Sequence, residues 1–453
     1  MSKQLLAVDI GAGSGRIVCG SYDKGKLTVR EGARFTNELQ TDAEGRTYWD
    51  FERLSASVNG YLKQSDADSI GFDSFSPDFG IFDPDGTLCQ PMLSYHNYFS
   101  CAFPEEVLSE YPADVLRGMT GNEVSPLSIL ARLIYLQKRY AFAADGRNTL
   151  LPMADALAFR VSGQRYTDFT FSFDSGLNDL NGAWDEKLVR FLKAGMGILP
   201  RVLPCGWQAG YSFLAPGKKT AVINTALHDT ASAYHVLKLI ADGQLCMNAG
   251  TWFSVGSAAE SPVLTEQSMA LGIENIALPD RTFIHGHTFP GAWFLQTYRK
   301  ESGGTPFALL SETARNEQGD YISADVSDIG RYQNEKGLIE TVRDDLNRNG
   351  IAHASDAQVL RSIYEGLADA VAFTIVQIEA VSGKRFHSIF MSGGVTKDSF
   401  LCELISEKSR KKIVPCMREA SAAGNLLLQL QGLQLIRGAD ESRELLQRLE
   451  EQE

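Results

Sequence analysis

The sequence predicts a two-lobed α/β protein, and three observations carry the prediction. First, 453 residues with 44% hydrophobic content exceed what one hydrophobic core supports, which favours two large units. Second, the apolar run 5–8 enters the stretch Asp9-Ile10-Gly11-Ala12-Gly13-Ser14-Gly15-Arg16, and a second strand-like run, 17–20, leaves it. Third, the same device returns as 245–248, Ala249-Gly250-Thr251 and 252–255. Two strand–turn–strand units with glycine at the tip imply a duplicated architecture whose turns face each other across a cleft. The lobes are expected at 1–225 and 226–453.

Taken in order, residues 5–35 read as three consecutive strands, with Asp23-Lys24-Gly25-Lys26 as the second tight turn. A helix is expected over 50–62. Residues 69–75 and 79–82 read as strands flanking Pro77-Asp78, and Pro84-Asp85-Gly86 closes the next turn. Helices dominate from 104 to 192, broken at Gly121-Asn122 and capped at Gly163. A strand at 220–223 leads to Leu227-His228-Asp229-Thr230, after which 231–241 has helical spacing. Beyond the second glycine tip, 293–300 and 358–381 read as helices, and 303–326 is the least patterned region. A strand at 388–391 runs into Ser392-Gly393-Gly394, and 397–408 has helical spacing. The charged end, 441–453, reads as a solvated helix or a frayed tail.

A formal charge of −13 with no cluster of lysine and arginine argues against a nucleic-acid footprint and against docking on anionic lipid. The partner should be a small molecule or another protein. No apolar run approaches the ~18 residues of a membrane span, and the amino terminus lacks a signal-peptide pattern. Seven cysteines, an odd number without CxxC pairs, suggest neither a disulfide framework nor a zinc site. A reducing cytoplasm fits best.

A dinucleotide fold follows its glycines with a helix; here a strand follows. In the first turn, glycines let the backbone approach phosphate oxygens, Ser14 donates, Arg16 neutralises charge, and Asp9 holds Mg²⁺ directly or through water. The same octapeptide also serves as a plain hairpin with Arg16 at the surface. At the strand-to-helix junction, Asp229 or Thr230 is either the helix N-cap or, for Asp229, an ionised carboxylate that accepts a hydroxyl proton during phosphoryl transfer. The two roles are compatible. Ala249-Gly250-Thr251 offers N–H groups and a hydroxyl to β/γ-phosphates, or forms an ordinary β-turn. Ser392-Gly393-Gly394 before a helix places bare backbone beside adenine or ribose, although close strand–helix packing selects the same residues. The small residues of 419–425 serve tight packing or line an adenosine pocket. His285 and His287 have no third partner and are read as non-metal. Tyr48, Trp49, Phe75, Trp252 and Trp293 are read as core, with one or two left to stack on a substrate.

Stretches 9–16, 227–232, 248–252, 291–296 and 392–394, in that order, resemble the FGGY carbohydrate kinases and, among them, the L-rhamnulose kinases. Further matching stretches at 34–37, 48–50, 69–80 and 182–185 extend the resemblance to about residue 430. Each motif is soft, but their collinear order is specific. The resemblance implies two actin-like ATPase (ribonuclease H-like) lobes that close on a sugar and on MgATP, with the γ-phosphoryl passed to a sugar hydroxyl. By motif position Asp229 resembles the general base. Ala12, Gly13, Ser14, Gly15, Arg16, Thr251, Gln296, Gly393 and Gly394 resemble ATP contacts, and Asp9 resembles the carboxylate that positions the metal. His228 and Thr230 flank the acceptor sugar, with Ser76 and Thr288 at its other expected contacts. A monomer or homodimer is expected.

The departures concern the acceptor. Where the L-rhamnulose kinases read Asp-Thr-Trp-Gly-Val-Asp, this chain has Asp73-Ser74-Phe75-Ser76-Pro77-Asp78. Their Tyr-Arg-Asp becomes Tyr95-His96-Asn97, and an asparagine aligns with Thr288. Two rival expectations follow: a non-catalytic sugar or nucleotide sensor that keeps the clamp, and an ATPase or phosphatase whose acceptor is water.

Overall fold

The computed structural model describes residues 2–98, 101–332 and 336–450. Its first sheet contains β1 (Lys3–Ile10), β2 (Ser14–Asp23), β3 (Lys26–Thr36), β4 (Ser69–Ser74), β5 (Trp207–Ser212) and β6 (Thr220–Asn224), ordered β5-β6-β4-β1-β2-β3. Leu5 to Ile10 of β1 are buried throughout, as befits a central strand covered on both faces. Its partners β2 and β4 are antiparallel and parallel respectively. The helix α1 (Phe51–Leu62) is started by the Asp50 side chain, which accepts from Arg53 N. It buries Leu54, Val58 and Leu62 in the core that holds Leu6, Val8 and Ile17.

The second sheet contains β7 (Leu245–Ala249), β8 (Trp252–Ala259), β9 (Glu274–Ala277), β10 (Phe283–Pro290), β11 (Ser388–Ser392) and β12 (Lys412–Pro415), ordered β9-β10-β8-β7-β11-β12. Five strands repeat a pattern. In β3-β2-β1-β4-β6 and in β10-β8-β7-β11-β12 the pairings run antiparallel, antiparallel, parallel, parallel. The glycine tips at 11–13 and 250–251 therefore occupy equivalent places in the two sheets, which is the duplication expected from the repeated turn.

Between the sheets lie α3 (Asp229–Ala241) and α8 (Ala420–Gly432), packed on one another, with α8 on β1, β4 and β6 and α3 on β7 and β11. Further helices are α2 (Phe169–Asp174), α4 (Ala292–Glu301), α5 (Phe307–Asn316), α6 (Asp356–Ser382) and α7 (Ser399–Ser409). The small residues of α8 allow its close approach to α3: a Cβ on Gly424 would stand 2.3 Å from the Ser232 carbonyl oxygen. The tight-packing reading of 419–425 thus holds for Gly424.

Three expectations are corrected. The helical stretch 104–192 also contains the strands Thr149–Pro152, which pairs with Phe79–Phe82, and Tyr166–Asp168, which pairs with Arg201–Leu203. These segments are too short to show a period. The unpatterned stretch 303–326 contains α5, started after Pro306 and burying only Leu310 and Ala314. The charged end is not simply solvated: α9 (Gly438–Glu450) buries Leu445, Leu446 and Leu449 in a core shared with Leu5, Val18 and Leu27 of the first sheet. Residues 451–453 lie outside the described residues. Among the described residues no helix is long and apolar enough to cross a membrane.

Candidate active site

At the first tip, Gly11 N donates to Ser14 O at 2.9 Å, and Ile10 faces Gly15 in the ladder. Ala12 and Gly13 are exposed, while Asn37 Nδ2 braces the turn through Gly11 O at 2.9 Å. Directly opposite one another on the paired strands β1 and β2, Asp9 and Arg16 form an ion pair, with Arg16 Nη2 2.6 Å from Asp9 Oδ2. Arg16 also pairs with Glu419, and Ser421 donates to Asp9 Oδ2 at 2.9 Å. Burial disfavours the guanidinium's charge, but Asp9 and Glu419 more than offset it and hold Arg16 above the ordinary arginine range. Arg16 is therefore a strut between the first tip and the start of α8 as well as a cation beside the tip.

Beside Asp9 in the β1–β4 register lies Asp73, whose side chain is wholly buried. Asn425 donates to its Oδ2, while Oδ1 has no hydrogen-bond partner among the described residues. Burial, with repulsion from Asp9, pushes Asp73 well above the carboxylate range. Asp229 opens α3. It is not the N-cap, and neither is Thr230: His228 holds that position without a side-chain cap bond. The junction is fixed instead from outside, because Leu227 N donates to Asp168 Oδ2 at 2.6 Å. The Asp229 side chain is about one-quarter exposed. Thr230 Oγ1 donates to Asp229 Oδ1 at 3.1 Å. Burial raises the Asp229 pKa above its usual value, His228 opposes the shift, and the Asp9 charge adds to it.

The second tip is tied to the start of α4: Gly291 N and Trp293 N both donate to Thr251 O at 3.0 Å. Gln296 Nε2, one turn into α4, donates to Thr251 Oγ1 at 3.3 Å. Gly393, at φ +97°, approaches so closely that a Cβ would stand 2.5 Å from Ala249 O, so glycine is required on both counts. Thr251, Gln296 and Gly394 join Phe307, Ser311 and Lys397 around a cavity of 570 Å³, within the range of small-molecule sites. Two walls of this cavity escaped sequence reading, namely α5, whose apolar pattern is sparse, and the Lys397-Asp398 turn before α7.

The acceptor-side departures are internally satisfied. Phe75 packs on Trp49 with ring centroids 4.9 Å apart. Trp49 Nε1 donates to Asp78 Oδ2 at 2.6 Å, and Arg132 pairs with Asp78 at 2.9 Å while donating to Pro77 O at 2.7 Å. Asn97 is used by the backbone, donating to Thr47 O and Ser94 O, both at 2.7 Å. Ser76 lies two residues past Ser74, which is bridged to His228. Thr288 Oγ1 shares a hydrogen bond of 3.0 Å with Ser254 Oγ and bonds to Glu274, a residue that no motif singles out. Burial pushes Glu274 up to about 7, with Thr288 opposing and Asp174 and Glu123 reinforcing the shift. The structure thus groups Asp9, Arg16, His228 and Asp229 at one end, and Thr251, Gln296, Gly393 and Gly394 at the other. Ser76 and Thr288 stand on separate elements.

The duplicated sheets, the glycine tips and the carboxylate at the start of α3 define an actin-like ATPase fold of the sugar-kinase type. Residues 245–433 match the C-terminal domain of the FGGY family of carbohydrate kinases. The chain is 26% identical to the rhamnulokinase of Oceanobacillus iheyensis over 98% of this chain and 97% of that one. It is also 26% identical to the rhamnulokinase of Bacteroides thetaiotaomicron, over 95% and 90%. Among solved structures, a Plasmodium falciparum glycerol kinase with ADP superposes with a TM-score of 0.79 at 15% identity, covering 98% of this chain and 92% of that one. A Lactobacillus acidophilus gluconate kinase gives 0.75 at 15% identity with the same coverage.

Proposed function

We propose that this chain transfers the γ-phosphoryl group of ATP to a hydroxyl of a sugar, a ketose such as L-rhamnulose or a related deoxyketose. The observation that carries this reading is the position of Asp229: partly exposed, first residue of α3, and within electrostatic reach of Asp9 at the first tip. The helix N-terminus favours its ionised form. The sugar hydroxyl oxygen attacks the γ-phosphorus, the bond from γ-phosphorus to the bridging β-phosphate oxygen breaks, and ADP leaves with that electron pair. The hydroxyl proton passes to Asp229, and because a sugar hydroxyl is far more basic than aspartate, that transfer lags behind P–O cleavage. His228, Thr230, Ser76 and Thr288 are proposed to position the acceptor. Ala12, Gly13, Ser14, Gly15, Arg16, Thr251, Gln296, Gly393 and Gly394 are proposed to hold the nucleotide.

A divalent cation fits the same end of the site. Asp9, Asp73 and Asp229 crowd their charges together, Asp73 Oδ1 is an orphaned acceptor, and Arg16 and His228 are the cations acting on these three. Among the described residues no three acidic, histidine or cysteine side chains form a ready cage. Mg²⁺ suits such a site, because it takes one or two carboxylates and completes its shell with phosphate oxygens and water. Asp9 would hold it, and when bound it supplies charge neutralisation to the transferring phosphoryl group. We take the lobes as 1–225 and 226–453, with α8 and α9 returning to the first sheet. The seven free thiols fit a cytoplasmic enzyme, acting as a monomer or homodimer.

ADP release across ketoses, ketoses lacking the 6-hydroxyl and polyols tests the reading. Stimulation by at least one of these sugars supports the kinase. Tight ATP binding with no stimulation would favour a sensor, motivated by the altered 75–77 and 95–97 segments, and sugar-independent phosphate release would make water the acceptor.

A further inference from the structure

Asp174, the last residue of α2, places its Oδ2 3.4 Å from His228 Nδ1. Across the ring, His228 Nε2 is 3.9 Å from Asp229 Oδ1. The imidazole therefore stands between two carboxylates. All three side chains are between one-fifth and just over one-quarter exposed. His228 Nδ1 itself is buried and lacks an aligned hydrogen bond, which leaves Asp174 as the acidic group in ion-pairing range of that nitrogen among the described residues.

The spacing is built in. Asp168, at the N-cap of α2, accepts from Thr170 N and from Leu227 N, both at 2.6 Å, so one buried carboxylate fixes both α2 and the segment that leads into His228 at the N-cap of α3. Phe169 and Phe173 of α2 pack on Phe283 of β10, at 5.9 and 4.9 Å between centroids. The helix that carries Asp174 is thereby held against the second sheet as well.

We propose that Asp174 is a positioning residue for phosphoryl transfer: it holds the His228 imidazolium with Nε2 turned to Asp229, so that Asp229 stays ionised in a partly desolvated site. The proposal rests on the reading of Asp229 as proton acceptor. Burial works against charge on Asp174 and on Asp229, and His228 opposes that effect at each. Burial also works against the imidazolium, but Asp174 and Asp229 together hold His228 above the ordinary histidine range. The charged neighbours are Asp168 facing His228, Asp9 and Asp73 facing Asp229, and Glu274 of β9 facing Asp174. His228 keeps its proton throughout; the proton that moves is the sugar hydroxyl's.

The experiment compares full-length wild type, Asp174→Asn and Asp174→Glu, each labelled with ¹⁵N-histidine, with the His228 ring signals assigned from His228→Gln. In Asp174→Asn the His228 midpoint should fall by at least about one pH unit, as expected for loss of an opposite charge at this range. With an acceptor sugar in hand, kcat should drop about 10-fold, below the ~10²-fold of removing a general base outright, while KM for the acceptor changes less. The acidic limb of kcat should move to higher pH, because Asp229 loses the cation that favours its ionised form. Asp174→Glu should recover most of the His228 midpoint, and it keeps the test open should Asp174→Asn fold poorly. An unmoved His228 midpoint in a folded Asp174→Asn protein would overturn the proposal whatever the turnover. Undiminished turnover in Asp229→Asn, with the His228 midpoint still dependent on Asp174, would instead overturn the proton-acceptor reading on which it rests.

Discussion

Asp73 and Asp229 share a neighbour in Asp9 but differ in how they are satisfied. Asp229 has His228 and the Thr230 hydroxyl; Asp73 has Asn425 on one oxygen and, among the described residues, no hydrogen-bond partner on the other. For Asp229 the pKa is raised, so turnover should fall on acidification at a pH above that of an exposed aspartate, read from the acidic limb of kcat. For Asp73 the sign runs through stability. Its folded pKa lies above its unfolded value, so the native state bears the cost of a buried charge at high pH. It sheds that cost as pH falls through the folded pKa toward the unfolded one. Asp73→Asn should therefore be more stable than wild type at pH 8, by roughly 1–3 kcal/mol, the usual cost of an unpaired buried polar group. The gap should close on acidification in paired Tm measurements. At this scale the sequence made Asp9, Arg16 and Asp229 legible, because each sits in a stretch whose turn chemistry shows locally. Glu274, Asp174 and Asp168 were illegible, since their meaning lies in contacts between elements far apart in the chain.

Among the elements, α8 joins both halves of the account. Ser421 reaches Asp9, Asn425 reaches Asp73, and Gln429 accepts from Ser69 Oγ at 2.7 Å and donates to Leu6 O at 2.9 Å. A neighbouring face of the helix meets α3 at Gly424. Gly424→Ala would press a methyl onto the Ser232 carbonyl and push α8 away from α3. The expected loss is about 1–3 kcal/mol, as for other overpacked cores, measured as a lowered Tm. Because Asp9 and Arg16 take partners from the same helix, ATP affinity should weaken in parallel, seen by calorimetric titration. The long apolar period of α6 and the strand–glycine–strand units were plain in the sequence. By contrast α5, with two buried residues, and α9, whose three buried leucines are scattered among charges, gave too little pattern to be read from sequence.

On the scale of the whole molecule, the two sheets repeat one five-stranded order, and the helices α3 and α8 between them connect both. The repeat was visible in the sequence as two glycine tips, since the turn chemistry is local. The return of α8 and α9 to the first sheet was not, because helix-to-sheet docking over 400 residues leaves no local mark. Under the proposed function, Asp9 and Arg16 at one tip and the cavity beside Thr251 and Gly394 at the other would serve a single reaction, in which Asp229 would orient and deprotonate the acceptor. The most direct test is Asp229→Asn with MgATP and whichever sugar stimulates the wild type best, following ADP release and, separately, ATP binding. The account predicts that kcat falls by at least ~10²-fold while ATP affinity is retained; sugar-dependent turnover near the wild-type rate in that variant would contradict it.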